Sequence, residues 1–306
     1  MRIDIAGQTD IGRRKKANED TFGIFREDEP NLALFKQGTL VCVADGLGGH
    51  MGGEIASKLA VSILRDSLKE ELPKENGEAH DESVLDLMKR YVTLANASVY
   101  QTNADLATGS KPMGTTLITS LIEPRKVYLC NVGDSRCYHI REGHIIERTE
   151  DHSWVDEQVK LGLMSKSEAE VDPRKNVVTR SIGTRAEVAI DSYLWHIVPG
   201  DWLLVCSDGL VNMVSDQDIT NEVVSGARAS DIVARLIDLA NANGGKDNIT
   251  VVAANISPTA GHMFAANVRA FFKKNGVKLL WALIIVLVLI AGLVGGYIIN
   301  DMGLLD

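Results

Sequence analysis

Cysteine is scarce in this sequence, and the few cysteines present show no spacing that would pair them. Only four occur in 306 residues, none forms a CxxC arrangement, and each lies in or beside an apolar run. This pattern predicts reduced core cysteines in a cytosolic protein rather than a disulfide framework. The four are Cys42, Cys130, Cys137 and Cys206.

An excess of basic residues is also missing. The formal net charge is -9 and the pI is about 5.3, whereas proteins that bind nucleic acids nonspecifically present a basic face. We therefore expect no nucleic-acid partner, while a surplus of carboxylates suits hard cations. The first ten residues contain no hydrophobic stretch of the signal-peptide kind, and the chain has no internal repeat and no low-complexity tract.

What the sequence does contain is one long uncharged hydrophobic run, at residues 279–299. Its 21 residues would form a helix about 31 Å long, enough to cross the hydrocarbon core of a bilayer. Trp281 and Tyr297 lie near its two ends, where interfacial aromatic residues are common. A buried hydrophobic helix is the alternative interpretation. We predict a transmembrane helix.

The charges around this run predict its orientation, because basic residues precede it and only acidic ones follow it. They are Arg269, Lys273, Lys274 and Lys278 before the run, and Asp301 and Asp306 after it. The positive-inside rule puts the preceding residues in the cytoplasm. The prediction is a single-pass protein of the cell inner membrane, with a cytoplasmic main domain and a short extracytoplasmic tail at 300–306.

Residues 1–256 are predicted to form that main domain, followed by a basic linker at 257–278. Strand-like and helix-like patterns occur in groups rather than in strict βαβ alternation, which favours an α+β fold with a mainly antiparallel sheet. The predicted strands are 3–8, 40–44, 115–121, 127–132, 188–196, 202–206 and 249–255. The predicted helices are 53–72, 83–107, 216–224 and 230–241.

Four short acidic motifs stand at the boundaries of apolar runs. Asp45 and Asp208 follow the runs LVCVA and WLLVC, whereas Asp20 and Asp247 precede the runs TFGIF and ITVVAANI. In an antiparallel sheet the end of one strand lies beside the start of its neighbour, so all four carboxylates can converge on one edge. Converging carboxylates repel unless a cation neutralises them. A single AspGly is most simply a turn, but the combination predicts a Mg²⁺ or Mn²⁺ site with oxygen ligands.

These motifs belong to a series of eight stretches between residues 15 and 250. They are KKANEDTFG (15–23), VADGLGGHMGGEIAS (43–57), MGTTL (113–117), NVGDSRCY (131–138), TEDHSW (149–154), VVTRSIG (177–183), CSDGL (206–210) and GGKDNIT (244–250). In this order and together, they resemble the bacterial metal-dependent Ser/Thr protein phosphatases of type 2C. The predicted transmembrane run lies outside the resemblance.

The resemblance implies a fold and a metal site. The fold would be an antiparallel β-sandwich flanked by helix pairs, in α-β-β-α order, with two Mn²⁺ or Mg²⁺ ions at its edge. Asp45 is expected to bridge both ions. Asp20 and the Gly46 carbonyl would complete one shell, largely with water, and Asp208 and Asp247 would hold the other ion.

Three further residues receive supporting roles from the same resemblance. Glu19 is expected to act through a bound water, and Asn248 to support the ligands without binding an ion. Asp134 matches a position that helps to bind a third, weaker ion, with a turn residue as the alternative. The segment 151–179 resembles a mobile flap beside the site, and His152 within it is expected to be a structural hydrogen bonder.

Two positions depart from the family pattern. The family has Arg five residues before the first metal aspartate, where it grips the substrate phosphate, but this chain has Lys15, preceded by Arg14. A lysine binds phosphate as a point charge without the bidentate fork of arginine. Phosphate binding is therefore assigned to Lys15 or Arg14, and the alternative is that these residues form a solvated basic loop. His50 is the candidate general acid, and a structural loop histidine or a metal-bound water are the alternatives.

The implied activity is hydrolysis of phosphoserine and phosphothreonine in proteins, in opposition to a Hanks-type Ser/Thr kinase. A water that bridges two cations loses its proton near neutral pH and can attack phosphorus directly. A binding module that has lost turnover is one alternative, and a hydrolase of small phosphoesters is another. The presence of all four metal aspartates favours an active enzyme.

Overall fold

The computed structural model describes residues 2–26, 38–48, 51–67, 81–105, 112–225 and 227–257. Within these ranges, no helix is both long enough and apolar enough to cross a membrane. The predicted transmembrane run at 279–299, the linker beyond Ser257, the tail at 300–306 and His50 lie outside the described residues.

Strands and helices alternate in groups along the described chain. The strands are β1 (Arg2–Asp10), β2 (Thr21–Arg26), β3 (Thr39–Ala44), β4 (Gly46–Leu47), β5 (Gly114–Thr115), β6 (Leu117–Glu123), β7 (Lys126–Val132), β8 (Arg136–Arg141), β9 (His144–Arg148), β10 (Asp191–His196), β11 (Trp202–Cys206) and β12 (Ile249–Ser257). The helices are α1 (Met51–Ser67), α2 (Asp81–Asp105), α3 (Trp154–Lys160), α4 (Lys166–Val171), α5 (Asp208–Val211), α6 (Asp216–Val224) and α7 (Ala229–Ala242).

The strands form two five-stranded antiparallel sheets. The first has the order β1-β12-β11-β8-β9, the second has the order β10-β7-β6-β3-β2, and β4 and β5 make a separate short pair. The α+β fold with antiparallel sheets that the sequence predicts is therefore confirmed. The predicted strand at 115–121 divides into β5 and β6 because Thr116, between them, bonds to Asp45 instead of continuing the ladder.

The apolar run of β3 shows why the sheets stack. Val41 and Val43 face the other sheet, while Leu40 and Cys42 face α1 and α2, so the strand is buried on both sides. A strand covered on both faces has no polar alternation and reads as a continuous hydrophobic run. The inner layer that it helps to form holds the two sheets together.

Helices cover the outer face of each sheet. The helices α1 and α2 pack on the second sheet through residues such as Ala60, Leu64 and Val92, and α6 and α7 pack on the first sheet through Ile219 and Leu236. Each of these helices buries one apolar stripe and leaves its polar side to solvent, as expected for surface helices. The result is the α-β-β-α order of layers.

Candidate metal centre

Two pairs of neighbouring strands bring four aspartates to one end of the sandwich. In the second sheet, antiparallel pairing of β2 with β3 puts Asp20, just before β2, beside Asp45, just after β3. In the first sheet, pairing of β11 with β12 brings Asp208 and Asp247 to the corresponding ends. The carboxylates of the two sheets are close enough to perturb one another's ionisation.

Asp20 is held by hydroxyl groups from the opposite sheet. Its Oδ2 accepts hydrogen bonds from Ser207 Oγ at 2.8 Å and from Thr250 Oγ1 at 2.6 Å. The backbone N–H of Thr250 in turn donates to Ser207 Oγ at 3.0 Å. These bonds join the start of β2 to the ends of β11 and β12, and they leave one carboxylate oxygen of Asp20 for another partner.

Two buried oxygens in this cluster lack a partner among the described residues. Asp20 Oδ1 and Asp208 Oδ1 are shielded from solvent and accept no hydrogen bond from the described part of the chain. An unsatisfied buried acceptor costs about 1–3 kcal/mol, and more when it is charged. Carboxylate oxygens of this kind are the ligands that Mg²⁺ and Mn²⁺ prefer. The residues present therefore fit a hard divalent cation.

The electrostatics of the cluster lead to the same conclusion. Burial raises the pKa of Asp20 to about 7, with Asp208 and Asp247 adding to the effect and the two hydroxyl donors opposing it. Burial followed by repulsion from Asp20 and Asp208 raises the pKa of Asp45 well above its usual range. Burial and the charge of Asp247 also raise the pKa of Asp208. At neutral pH these carboxylates need either protons or added positive charge.

The present side-chain arrangement is looser than a closed chelate. Within the described ranges, no three His, Cys, Asp or Glu side chains converge closely enough to hold one ion by themselves. Asp247 is instead paired with a lysine, as described below. Water and backbone carbonyls would have to complete the shells of any bound ions, which is common for Mg²⁺.

Asp45 is fixed through its backbone by the segment between β5 and β6. Its N–H donates to Thr116 Oγ1 at 2.9 Å, and its carbonyl accepts from Thr116 N at 2.8 Å and from Thr115 Oγ1 at 2.8 Å. The Thr116 hydroxyl also bonds to Ser135 Oγ at 2.8 Å. Thr115 and Thr116 thus hold the residue at the centre of the cluster in place.

The glycines after Asp45 and Asp208 are needed for close backbone approach. A Cβ on Gly46 would collide with the carbonyl oxygens of Gly53 and Glu19, and a Cβ on Gly209 would collide with the carbonyl oxygen of Asn248. A residue without a side chain is the only one that fits such contacts. The AspGly pairs therefore mark sites where two segments meet at the cluster.

Asn248 connects the segment before β2 to the start of β12. Its Oδ1 accepts from the N–H of Glu19 at 2.8 Å, and its Nδ2 donates to the carbonyls of Ile11 and Ala17, both at 3.0 Å. Its own N–H donates to Asp247 Oδ1 at 2.8 Å. Asn248 thereby holds Glu19 and Asp247 in a common frame without itself lying among the carboxylates.

Lys15 lies at the edge of the carboxylate cluster. Its Nζ is 2.5 Å from Asp247 Oδ1, and its side chain remains 40% exposed. Burial alone would lower its pKa, but the bond to Asp247 and the charges of Asp45 and Glu19 outweigh burial and raise it. The ammonium group thus neutralises part of the cluster. Arg14 is exposed, and its backbone N–H donates to the Gly245 carbonyl at 3.2 Å.

Asp134, in the turn between β7 and β8, is a further carboxylate at this end, and it is buried. Burial, followed by the charges of Asp208 and Asp151, raises its pKa well above the usual range. The neighbouring Arg136 is engaged with Asp151 at 2.6 Å and offsets only part of that effect. Asp134 is therefore close to the main cluster and shares its need for positive charge.

His152 is a hydrogen-bonding residue of the fold. Its Nδ1 accepts from the N–H of Gly133 at 3.1 Å, and its Nε2 lies 3.1 Å from Asp191 Oδ2. Burial lowers the pKa of the imidazole. These contacts attach the turn that carries Asp134 to the start of the 151–179 segment, as the structural prediction for His152 requires.

The structure excludes a cysteine nucleophile at Cys130, although the sequence spacing around it matches one. Cys130 and Arg136 are separated by five residues, which is the spacing of the nucleophile loop in cysteine-dependent phosphatases. Here Cys130 is fully buried within β7, and burial raises the pKa of its thiol to about 12. Only a thiolate is a competent nucleophile, and Arg136 is paired with Asp151. The spacing therefore reflects the turn between β7 and β8 and has no catalytic meaning.

The antiparallel β-sandwich with a carboxylate cluster at one edge fits an enzyme that uses divalent cations. Comparisons with known proteins agree. Residues 17–251 match the family model "Protein phosphatase 2C". The chain is 36% identical over 248 residues to the serine/threonine phosphatase stp of Listeria monocytogenes serotype 4b, which covers 80% of this chain and 92% of that protein. The chain belongs to the protein phosphatase 2C family.

Solved structures support the same assignment. The Streptococcus agalactiae serine/threonine phosphatase superposes with a TM-score of 0.72 at 33% identity, covering 84% of this chain and all of that one. The catalytic domain of the serine/threonine protein phosphatase PstP, solved in complex with two manganese ions, has a TM-score of 0.68 at 28% identity and covers 84% of this chain and 99% of that domain. The protein is a Ser/Thr phosphatase, and metal dependence is typical of its family.

The sequence did not indicate the roles of several residues that shape the site. Ser207 and Thr250 orient Asp20, and Asn212 donates from its Nδ2 to Asp208 Oδ2 at 3.0 Å. Ser207 and Thr250 adjoin metal-site motifs in the sequence, but their bonds to Asp20 span 187 and 230 residues. No local pattern could have revealed those contacts.

Proposed function

We propose that this phosphatase works with two Mn²⁺ or Mg²⁺ ions held by the aspartate cluster. Asp45, at the centre, would bridge both ions, with Asp20 and the Gly46 carbonyl on one and Asp208 and Asp247 on the other. The observation that carries the proposal is the pair of buried oxygens, Asp20 Oδ1 and Asp208 Oδ1, that no donor of the described chain satisfies. A hard cation is the partner that removes this cost.

When bound, the ions would supply a deprotonated water near neutral pH and offset charge on the phosphoryl oxygens. The protein's own residues would fix the geometry. Ser207 and Thr250 keep Asp20 in one orientation, and Asn248 keeps Glu19 in register with the start of β12. Preorganised groups of this kind need little rearrangement when the substrate arrives.

Lys15 is proposed to receive the substrate phosphate. Its ammonium already lies at the edge of the cluster, on Asp247, and its flexible four-carbon stem allows it to exchange that carboxylate for a phosphate oxygen. Arg14 is the second candidate for the same role, since it lies one residue away and is exposed. His50 remains the proposed general acid for the leaving serine or threonine oxygen.

Asp134 is proposed to take part in binding a third, weaker ion. Support comes from its burial and from the raised pKa that it shares with the main cluster. A third cation would neutralise a carboxyl group that Arg136, paired with Asp151, offsets only in part.

The proposed setting is the cytoplasmic face of the inner membrane. The uncharged run at 279–299 and the basic residues that precede it support a single-pass anchor. Phosphorylated proteins would be the substrates, and a Hanks-type Ser/Thr kinase would be the opposing enzyme. Fractionation of the full-length chain tests the anchor, because release into the soluble fraction without detergent would contradict it.

The mechanism is tested by phosphate release from a phosphothreonine peptide with the full-length chain. We expect turnover with Mn²⁺, none with EDTA, and a loss of at least about 100-fold in kcat/KM for Asp208→Asn, typical of removing one electrostatic stabiliser. Asp238→Asn, an exposed aspartate on α7, is the matched control. Calorimetry with Mn²⁺ on the folded Asp208→Asn variant separates lost ion binding from unfolding. Full activity in EDTA would overturn the proposal.

A further inference from the structure

A cleft borders the aspartate cluster on the side of the 151–179 segment. We call it the flap cleft. Its lining includes Lys175, Asn176, Asn212, Met213, Lys246 and Asp247. Because Asp247 belongs both to the cleft and to the proposed metal centre, whatever occupies the cleft lies next to the reacting phosphate.

The cleft is firmly connected to the centre through Asn212. Its Nδ2 donates to Asp208 Oδ2 at 3.0 Å. The adjoining Met213 is held through its carbonyl, which accepts from Asn243 Nδ2 at 2.8 Å. The floor of the cleft is therefore part of the same hydrogen-bonded structure that positions Asp208.

The two lysines of the cleft have no carboxylate partner within the described residues, unlike Arg174 and Lys160 of the neighbouring segment. Arg174 pairs with Asp172 at 2.9 Å and stacks 3.6 Å from the centre of the Trp154 ring, and Lys160 pairs with Glu150 at 2.5 Å. Lys175 and Lys246 are exposed, and neither forms an ion pair with any carboxylate of the described ranges. Asp247, the acidic residue of the lining, is already neutralised by Lys15.

The cleft thus presents two free positive charges beside a phosphate-binding centre, on a chain whose net charge is -9. Such a patch complements an anionic group and steers it toward the site. Asn176 and Asn212 add amide groups that can donate to a carboxylate. A neutral side chain would lack the ionic attraction, and a basic side chain would be repelled.

We propose that the flap cleft binds an acidic side chain close in sequence to the phosphorylated residue. The phosphatase would then prefer phosphothreonine and phosphoserine sites flanked by glutamate or aspartate, with Lys175 and Lys246 determining that preference. This inference rests on the proposed function, because the phosphate must occupy the aspartate cluster for the flanking residue to reach the cleft.

The test compares two phosphothreonine peptides of equal length on the full-length chain with Mn²⁺. One carries glutamates on both sides of the phosphothreonine, and the other carries glutamines. Exposed ion pairs are each worth about two- to fivefold, so we expect a preference of about five- to tenfold in kcat/KM for the glutamate peptide. High salt should shrink that preference, since exposed charges are screened.

The double variant Lys175→Gln/Lys246→Gln should reduce the preference to about twofold or less, the size of a single weak exposed ion pair, while turnover of the glutamine peptide stays close to wild type. Lys166→Gln is the matched control, because Lys166 is an exposed lysine of α4 outside the cleft lining. It removes one lysine charge from the segment that carries Lys175, half the change of the double variant, and should keep the full preference.

The outcomes separate the two ideas. Equal kcat/KM for the two peptides in the wild type, or an undiminished preference in the double variant, would overturn the cleft assignment and leave the phosphatase mechanism intact. A preference lost equally in Lys166→Gln would show a general charge effect and would also overturn it. If neither peptide nor p-nitrophenyl phosphate is hydrolysed with Mn²⁺, the proposed mechanism fails as well.

Discussion

Strand β11 has an aspartate at each end, and the two have opposite surroundings. Asp201 is fully buried and Asp208 is partly buried. Asp201, just before the strand, accepts from Arg141 Nε at 2.7 Å, from Arg141 Nη2 at 2.8 Å, from the Val198 N–H at 2.7 Å and faces His139 Nε2 at 2.9 Å. Burial would raise its pKa, but these partners outweigh burial and lower it. Asp208, just after the strand, has a raised pKa and an unpartnered oxygen.

The difference separates a structural carboxylate from a functional one. At Asp201 the chain itself supplies the countercharge, so the buried anion is complete without any addition. At Asp208 the described chain supplies Asn212 and the more distant Lys15, while Asp247 and Asp151 add negative charge. Shielding from solvent alone would not distinguish the two residues, because the side chain of Asp201 and the Oδ1 atom of Asp208 are both inaccessible. What distinguishes them is where the positive charge comes from.

The largest expected effect is a change in the free energy of unfolding, and it tests the contrast between Asp201 and Asp208 directly. Asp201→Asn leaves Arg141 and the buried His139 without their partner, so it should lower the free energy of unfolding by about 2–4 kcal/mol, below the full cost of a buried pair because Arg141 is partly exposed. Asp208→Asn in metal-free protein removes a carboxylate from a cluster of like charges, so it should leave stability unchanged or raise it slightly. Urea denaturation in EDTA measures both, and equal losses would contradict the distinction.

A second prediction concerns the hydroxyl groups that orient Asp20. Ser207→Ala removes one of the two donors to Oδ2 and should weaken Mn²⁺ binding about 10- to 100-fold, as loss of a group that positions a ligand commonly does. Isothermal titration calorimetry measures this affinity. Ser215→Ala, at the start of α6, is the control, because it deletes a hydroxyl remote from the cluster. Unchanged affinity in Ser207→Ala would show that Asp20 is not a ligand.

These residues also mark the limit of what the sequence could predict. Apolar runs such as LVCVA and WLLVC end at AspGly, so the strand ends and the aspartates beyond them are visible locally. The antiparallel pairing that brings Asp20 beside Asp45 follows from the α+β pattern. The ion pair of Lys15 with Asp247 crosses 232 positions, from 15 to 247. Contacts of this range depend on packing, which no local signal encodes.

The third prediction concerns how the stability of the metal-free protein depends on pH, which should differ between Asp20 and Asp201. The pKa of Asp20 is raised to about 7 in the folded chain, so folding takes up a proton that the unfolded chain, with a pKa near 4, releases. Stability of metal-free protein should therefore rise as pH falls from about 7 to 5, by about 1–2 kcal/mol. Asp201 has a lowered pKa, so its contribution is lost only at more acidic pH.

Asp20→Asn isolates the Asp20 contribution, since other groups titrate in both proteins. The unfolding free energy of wild type minus that of Asp20→Asn should become more positive by about 1–2 kcal/mol as pH falls from 7 to 5 in EDTA. Saturating Mn²⁺ should remove this change, because a bound cation replaces the proton as countercharge. A difference that stays constant over this range in EDTA would show that the pKa of Asp20 is not raised.

The smallest effect on stability and Mn²⁺ affinity is expected for substitution of Lys15. Its partner Asp247 is intermediate between Asp201, which the protein neutralises, and Asp208, which it does not. The ammonium group of Lys15 gives Asp247 part of the countercharge that Asp201 receives in full. Half-exposed ion pairs contribute only about 0.2–1 kcal/mol, so Lys15→Gln should destabilise metal-free protein slightly. The same change should tighten Mn²⁺ binding up to about fivefold, because a cation no longer competes with the ammonium group for Asp247.

Lys15→Arg distinguishes competition from phosphate binding. An arginine keeps the charge and adds the bidentate fork, so it should restore or exceed wild-type kcat/KM on phosphothreonine peptides, while Lys15→Gln lowers it. Lys16→Gln, in the same exposed loop, is the matched control. If Lys15→Gln weakens Mn²⁺ binding instead, the ammonium group supports the ion site and does not compete with the ion. Asp247 would then receive its countercharge from the protein, as Asp201 does.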